Sequence, residues 1–274
     1  MTASQWDRRI HRANELTILF PFAAEALRFY LRIAKFQQTL YTQLHQLSAS
    51  RPKLSSDRPL REELDLKLVL PNFSPFLSLI GEIAPEPLAK AAAELARGGP
   101  PAWAEILAGF WHSDMEWVDA NGESGNSEHL LAWIFLQPCA EYLADRRGPI
   151  TPDGTPFTCP LCGGKPIVGV LRREGDGAKK SLICMLCAHE WAFRRLYCPA
   201  CGEEREPQLA FYSSPEIAHV RVDVCDTCHT YLKSVDLTKI GLAVPVVDEL
   251  ATIPLDLWAR EHGYHKLQFN MLGM

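Results

Sequence analysis

The chain has 274 residues, 47% hydrophobic and 22% charged, the proportions of a globular protein large enough to bury a core without crosslinks. A formal net charge of −5 excludes a general attraction to nucleic acid, so any such contact has to come from a local basic patch. The first twenty residues carry Asp7, Arg8, Arg9, Arg12 and Glu15 with no uninterrupted apolar run, which argues against a secretory leader, and no window reads as a membrane span.

The N-terminal half reads as helices. Between residues 15 and 47, Leu27, Tyr30, Leu31, Ala34, Tyr41 and Leu44 recur at helical spacing among charged residues, predicting one long amphipathic helix that starts at or after Pro21. Residues 48–59 have turn chemistry and read as a loop. Shorter helical patterns follow over 60–70, 75–83, 87–97, 102–118 and 128–146, with breaks at Gly98-Gly99-Pro100-Pro101 and over 121–126, and with Ser127 as an N-cap. Pro138 is expected to kink or split the last of them. Trp103, Phe110, Trp111, Trp117, Trp133 and Phe135 read as fillers of an interhelical core, with an exposed partner-binding groove as the alternative. Cys139, alone in this apolar context, reads as a small buried hydrophobe.

After Gly148-Pro149 the character changes to short β-branched runs between turns, predicting strands over 166–171, 218–224 and 231–235. A last amphipathic segment, 246–262, reads as helical around Pro254, and 264–274 as irregular. The expected class is therefore α+β: a helical domain over 1–148, two tandem metal modules over 149–196 and 197–244, and a C-terminal helix and tail over 245–274.

The remaining eight cysteines form four Cys-x-x-Cys pairs: Cys159/Cys162, Cys184/Cys187, Cys198/Cys201 and Cys225/Cys228. Two intervening residues let both thiolates of one turn reach a single ion while backbone N–H groups point at the sulfurs, so two such knuckles complete a tetrahedral site. Pairing the first with the second closes 21 intervening residues and the third with the fourth closes 23, the spacing of tandem zinc ribbons. Turn-rich stretches at 172–177 and 212–216 supply the hairpin tips. Gly163 and Gly202 follow two of the knuckles, where a left-handed turn aims amides at sulfur; Ala188 and His229 hold that place in the other two, a departure from the rubredoxin pattern. Four thiolates suit iron or zinc, and ligand type does not choose between them.

Cys225-Asp-Thr-Cys-His229 also matches a haem-attachment pattern, but using it would strand Cys198 and Cys201. A thioredoxin-like dithiol is a further rival for any one pair. His189 and His229 read as neighbours that tune the ligands, as spare ligands themselves, or as exposed knuckle residues without a role. Arg172, Arg173, Lys179, Lys180, Arg194 and Arg195 alternate with acids and read as a solvated or partner-facing surface, with a nucleic-acid patch as the rival. With every coordination position filled by thiolate, neither site leaves one open for hydrolytic chemistry, so catalysis is not expected.

Several runs beyond Gly148 together resemble the formate dehydrogenase accessory proteins of the FdhE type. They are Cys159-Pro-Leu-Cys-Gly-Gly-Lys-Pro166, Leu196-Tyr-Cys-Pro-Ala-Cys-Gly202, Val224-Cys-Asp-Thr-Cys-His-Thr-Tyr-Leu-Lys233, Asp248-Glu-Leu-Ala-Thr252, Leu255-Asp-Leu-Trp-Ala259 and Lys266-Leu-Gln-Phe-Asn270. The resemblance implies a helical N-terminal part, two rubredoxin-like modules whose eight cysteines bind two iron ions per chain (zinc as the alternative), and a noncatalytic, cytoplasmic role in maturing formate dehydrogenase through contact with its catalytic subunit. A nucleic-acid-binding zinc-ribbon protein and a rubredoxin-like electron carrier are the alternatives.

Overall fold

The first helix starts from a capping box. Ser4 Oγ accepts the Asp7 N–H at 3.1 Å while the Asp7 carboxylate accepts the Ser4 N–H at 3.1 Å, so α1 runs Gln5–Leu19. A 3₁₀ turn, Pro21–Ala23, separates it from α2, Ala24–Leu47. The long helix thus begins after Pro21 as the periodicity indicates, but the residues before it form a helix of their own. The structure, a computed structural model, describes residues 4–47, 59–113, 127–148, 150, 154–175 and 177–274. The 48–58 stretch, the end of the helix expected to reach 118, Trp117 and the 121–126 turn lie outside the described residues.

The chain folds as two compact units, one spanning Arg32–Pro149 and the other made of Met1–Leu31 with Ile150–Met274. In the helical unit α3 (Leu66–Val69), α4 (Phe73–Ile83), α5 (Glu86–His112) and α6 (Ser127–Arg147) follow α2. The rings of Phe36, Phe73, Phe76 and Phe135 lie 4.8–6.4 Å apart and form the aromatic centre of this unit. Phe110, Trp111 and Trp133 are buried as expected of core, as is Cys139, whose thiol burial pushes well up. α5 breaks at Gly99 (φ 67°, ψ −172°), and the half-buried Trp103 donates its Nε1–H across the break to the Leu95 carbonyl at 2.7 Å.

Pro138 does not split α6. It withholds the N–H that would bond the Ile134 carbonyl, and the buried side chain of Gln37 on α2 supplies a replacement, Nε2 donating to that oxygen at 2.7 Å. The stretch Leu66–Ile83 corrects the expectation that no window is long and apolar enough to cross a membrane. It is three pieces rather than one helix, α3 and α4 being separated by a 3₁₀ turn at Leu70–Asn72, and Phe73, Phe76, Leu77 and Ile80 are buried in the protein.

The other unit is built on one sheet. Its strands are β1 (Pro166–Glu174), β2 (Gly177–Cys184), β3 (Glu190–Phe193), β4 (Leu209–Ser213), β5 (Val220–Cys225), β6 (Thr230–Asp236) and β7 (His265–Lys266), in the order β3-β2-β1-β6-β5-β4, with β7 beside β6. The 172–177 and 212–216 stretches join antiparallel hairpins, β1–β2 and β4–β5. What the spacing does not reveal is that β1 and β6 pair in parallel, Val170 opposite Val235, fusing the two ribbons into one sheet. Glycine at 169 permits this junction, because a β-carbon there would collide with Ser234 Oγ.

The segment read as one helix around Pro254 is two, α7 (Pro245–Ala251) and α8 (Ile253–Glu261). α1 packs on α7, and the buried Arg12 guanidinium grips the Asp248 carboxylate through Nε and Nη2 at 2.6–3.2 Å. That contact groups α1 with the sheet rather than with the helices that follow it. The tail is not irregular throughout: it forms β7, and Lys266, Gln268, Phe269, Asn270 and Met271 are buried. The architecture is α+β, a helical N-terminal region followed by a sheet region that carries two four-cysteine clusters.

Candidate metal centres

Each knuckle is a tight turn, two of them at strand ends and two in loops. Cys184 closes β2, Cys225 closes β5, and Cys159 and Cys198 enter from loops. The N–H of Gly163 returns to the Cys159 carbonyl at 2.8 Å and that of Gly202 to the Cys198 carbonyl at 3.1 Å, while the Leu186 and Ala200 N–H groups point at the sulfurs of Cys184 and Cys198, each at 3.4 Å. All four knuckles carry a left-handed residue after the second cysteine: Gly163 and Gly202 at φ 77°, Ala188 and His229 at φ 52°.

A side chain in that conformation is strained, so Ala188→Gly is expected to raise stability by about 0.5–1 kcal/mol in urea unfolding without altering metal content. The reverse change should cost more at Gly202 than at Gly163. An added methyl at 202 meets the Phe157 ring at 3.3 Å, whereas at 163 none of the described residues comes within 4 Å of it.

The pairing is sequential. Cys159, Cys162, Cys184 and Cys187 form one cluster and Cys198, Cys201, Cys225 and Cys228 the other, the sulfurs of each within 4.8 Å of one another. Sγ–Sγ separations are 3.6 Å (Cys159–Cys187) and 3.4 Å (Cys162–Cys184) in the first, and 3.7 Å for both Cys198–Cys228 and Cys201–Cys225 in the second. A tetrahedron with metal–sulfur bonds of about 2.3 Å has edges of about 3.8 Å, so both clusters fit a tetrathiolate ion. All nine cysteines, each among the described residues, are outside any disulfide.

The electrostatics agree with that fit. Burial pushes the thiols of Cys184 and Cys187 well up, while hydrogen bonds from the thiols of Cys159, Cys184 and Cys187 pull Cys162 well down. Burial likewise raises Cys198, and partial desolvation raises Cys201 at the exposed edge of the cluster; burial opposes but does not overcome the hydrogen bonds from Thr230 that lower Cys228. Four sulfurs so close ionise together only around a cation. Each cluster could hold one metal ion.

The clusters lie inside two matched segments: a family model described as "FdhE, central domain" matches residues 158–195, and one described as "FdhE, C-terminal domain" matches 196–272. Over residues 158–272 the chain matches the FdhE family. A "Protein FdhE homolog" of Aquifex aeolicus is 26% identical over 277 residues, covering 96% of this chain and 94% of that protein. One of Shewanella oneidensis is 33% identical over 114 residues, 42% of this chain and 37% of that protein. The crystal structure of the FdhE protein from Pseudomonas aeruginosa covers 99% of this chain and 97% of its own at a TM-score of 0.64; at 23% identity that likeness is one of fold.

The runs that mark the FdhE resemblance outside the cysteines prove to be a buried polar network. Lys233 on β6 places Nζ 2.5 Å from Asp256 Oδ2, 3.1 Å from Glu249 Oε1 and 2.6 Å from the Glu249 carbonyl. Lys266 on β7 bonds the Glu249 carboxylate and lies 2.9 Å from Asp256 Oδ1. Tyr231 donates its hydroxyl to Asp256 at 2.9 Å, and Asn270 donates Nδ2–H to both Glu249 oxygens at 3.1–3.2 Å. Burial alone would raise the Asp256 carboxyl, but the ammonium groups of Lys233 and Lys266 outweigh it and hold it below the usual carboxylate value. Asp248 is lowered against its burial by bonds from His219 (2.8 Å) and Arg12.

His229, the histidine of the haem-like pattern, faces Tyr264 with ring centroids 6.2 Å apart, and both cysteines of that pattern stand in the second cluster. Of the basic residues near the clusters, Arg172 pairs with Glu190 (2.7 Å), Lys179 with Glu174 (3.5 Å) and Arg194 with Glu204 (2.8 Å) on a surface of alternating charge, as the sequence predicts, whereas Lys180 departs from it, being buried against Asp223 (2.7 Å).

Proposed function

We propose that this chain is a noncatalytic maturation factor that binds the catalytic subunit of formate dehydrogenase in the cytoplasm, its eight clustered cysteines holding two iron ions. The observation that carries the reading is the pair of complete four-sulfur clusters within the matched FdhE segments. Every ligand position is taken, so the sites suit scaffolding or one-electron chemistry rather than hydrolysis. The left-handed residue in all four knuckles, Ala188 and His229 included, makes the turns alike, so the missing glycines do not count against iron. When bound, a four-thiolate iron centre carries a single electron; zinc in the same place would act only as a brace. The reduced thiols suit a reducing compartment. We assign one centre to each of the modules 149–196 and 197–244, with 245–274 packed against their shared sheet. The ion-paired basic residues weigh against the nucleic-acid alternative.

The test is purification of the tagged chain without oxygen from cells making formate dehydrogenase. About two iron atoms per chain, thiolate-to-iron bands on oxidation and retention of the dehydrogenase catalytic subunit are expected. Two zinc ions in a colourless protein would overturn the iron assignment, and failure to retain that subunit would overturn the client assignment.

A further inference from the structure

The two clusters differ in what covers them. All four cysteines of the first are buried, whereas in the second Cys201 is exposed and Cys228 half-buried. A competing ligand reaches a thiolate centre through such an opening, so the second centre depends on whatever holds its knuckles in place.

Side-chain contacts across the knuckles contribute to this. Thr227, inside the fourth knuckle, donates its hydroxyl to Glu203 beside the third at 2.7 Å. Tyr264 donates its hydroxyl to Asp226, also inside the fourth knuckle, at 2.6 Å. The tail then follows the chain leaving that knuckle, the His265 N–H bonding the His229 carbonyl at 2.8 Å and the Leu267 N–H the Tyr231 carbonyl at 2.9 Å. A two-residue strand does not hold itself. Lys266 anchors it, its buried ammonium set between Glu249 and Asp256, with Asn270 bonded to Glu249 behind it.

We propose that residues 264–270 form a latch on the second metal centre: Tyr264 and Lys266 are positioning residues for the Cys225/Cys228 knuckle, and the second ion exchanges at a rate set by the latch while the first is held by the fold. This rests on the reading that the clusters bind metal.

The full-length chain loaded with zinc is mixed with excess pyridylazoresorcinol and release is followed by absorbance. Two phases of one ion each are expected, the fast one absent in Cys201→Ser and the slow one absent in Cys159→Ser. Tyr264→Phe, which removes one exposed hydrogen bond, should speed the fast phase about tenfold and leave the slow phase unchanged. Lys266→Met should do so more strongly, and the milder Tyr264→Phe decides the matter if that variant does not fold. Release of both ions in one phase, no effect of Tyr264→Phe, or equal acceleration of both phases would overturn the latch with the metal reading intact. Fewer than two zinc ions bound to the unaltered chain would overturn the metal reading and the latch with it.

Discussion

Cys184→Ser is expected to leave one ion per chain and to destabilise the sheet unit strongly. Cys184 is 1% exposed, closes β2, and its sulfur receives the Leu186 N–H. Replacing it leaves three buried sulfurs around an incomplete site. Structural zinc in isolated fingers contributes about 10–16 kcal/mol of apparent binding free energy, comparable with the whole stability of a domain, about 5–15 kcal/mol. The sheet shared with the other ribbon offsets part of this, but insoluble or protease-sensitive protein is the expected outcome. Cys201→Ser, at the exposed edge of the second cluster, should also lose one ion at a smaller cost. Metal analysis and proteolysis of the two variants make the comparison; two ions retained by Cys184→Ser would contradict the tetrathiolate assignment.

Lys233→Met is expected to cost about 3–5 kcal/mol in urea unfolding, because it leaves Glu249 and Asp256 to share the single ammonium of Lys266 in a site without solvent. Adding Asp256→Asn restores the charge balance and should recover part of the loss; a loss under about 1 kcal/mol for the single variant would mean the network is not stabilising. The same groups set a pH dependence. Asp248 and Asp256 are held below their ordinary value in the folded chain, so the stability they contribute is complete above pH about 4 and is lost as pH falls through their folded values. Lys266 is the opposite case. Burial lowers it, but Glu249 and Asp256 raise it further, so its contribution is complete below pH about 10.4 and is lost as pH rises through the folded value.

The two cysteine clusters are legible in the sequence because their geometry is local. A Cys-x-x-Cys turn needs only its own residues, and short loops pair neighbouring knuckles. The polar network is not legible for the opposite reason. Lysine and glutamate are seldom buried unless paired, and nothing near Lys233 shows that Asp256 lies beneath it. Tyr231-Leu-Lys233 and Asp248-Glu-Leu-Ala-Thr252 could therefore be read as marks of a family but not as chemistry. α1 was within reach, since Ser4 and Asp7 form a capping box, but its charged residues hide the helical face that Arg12 buries. Pro138 shows a local rule overridden by a distant partner, Gln37.

The parallel pairing of β1 with β6 also bears on the order of assembly. A ribosome delivers β1 well before β6, and at roughly 5–20 residues per second the interval lasts seconds, far longer than a hairpin takes to close. During that time the β1–β2 hairpin can form around Cys159 to Cys187, but the β1 edge at Gly169, Val170 and Leu171 stays without its partner. An open edge of apolar residues invites strands from other chains. The nascent protein is thus most prone to self-association after its first ribbon has been made and before its second is finished.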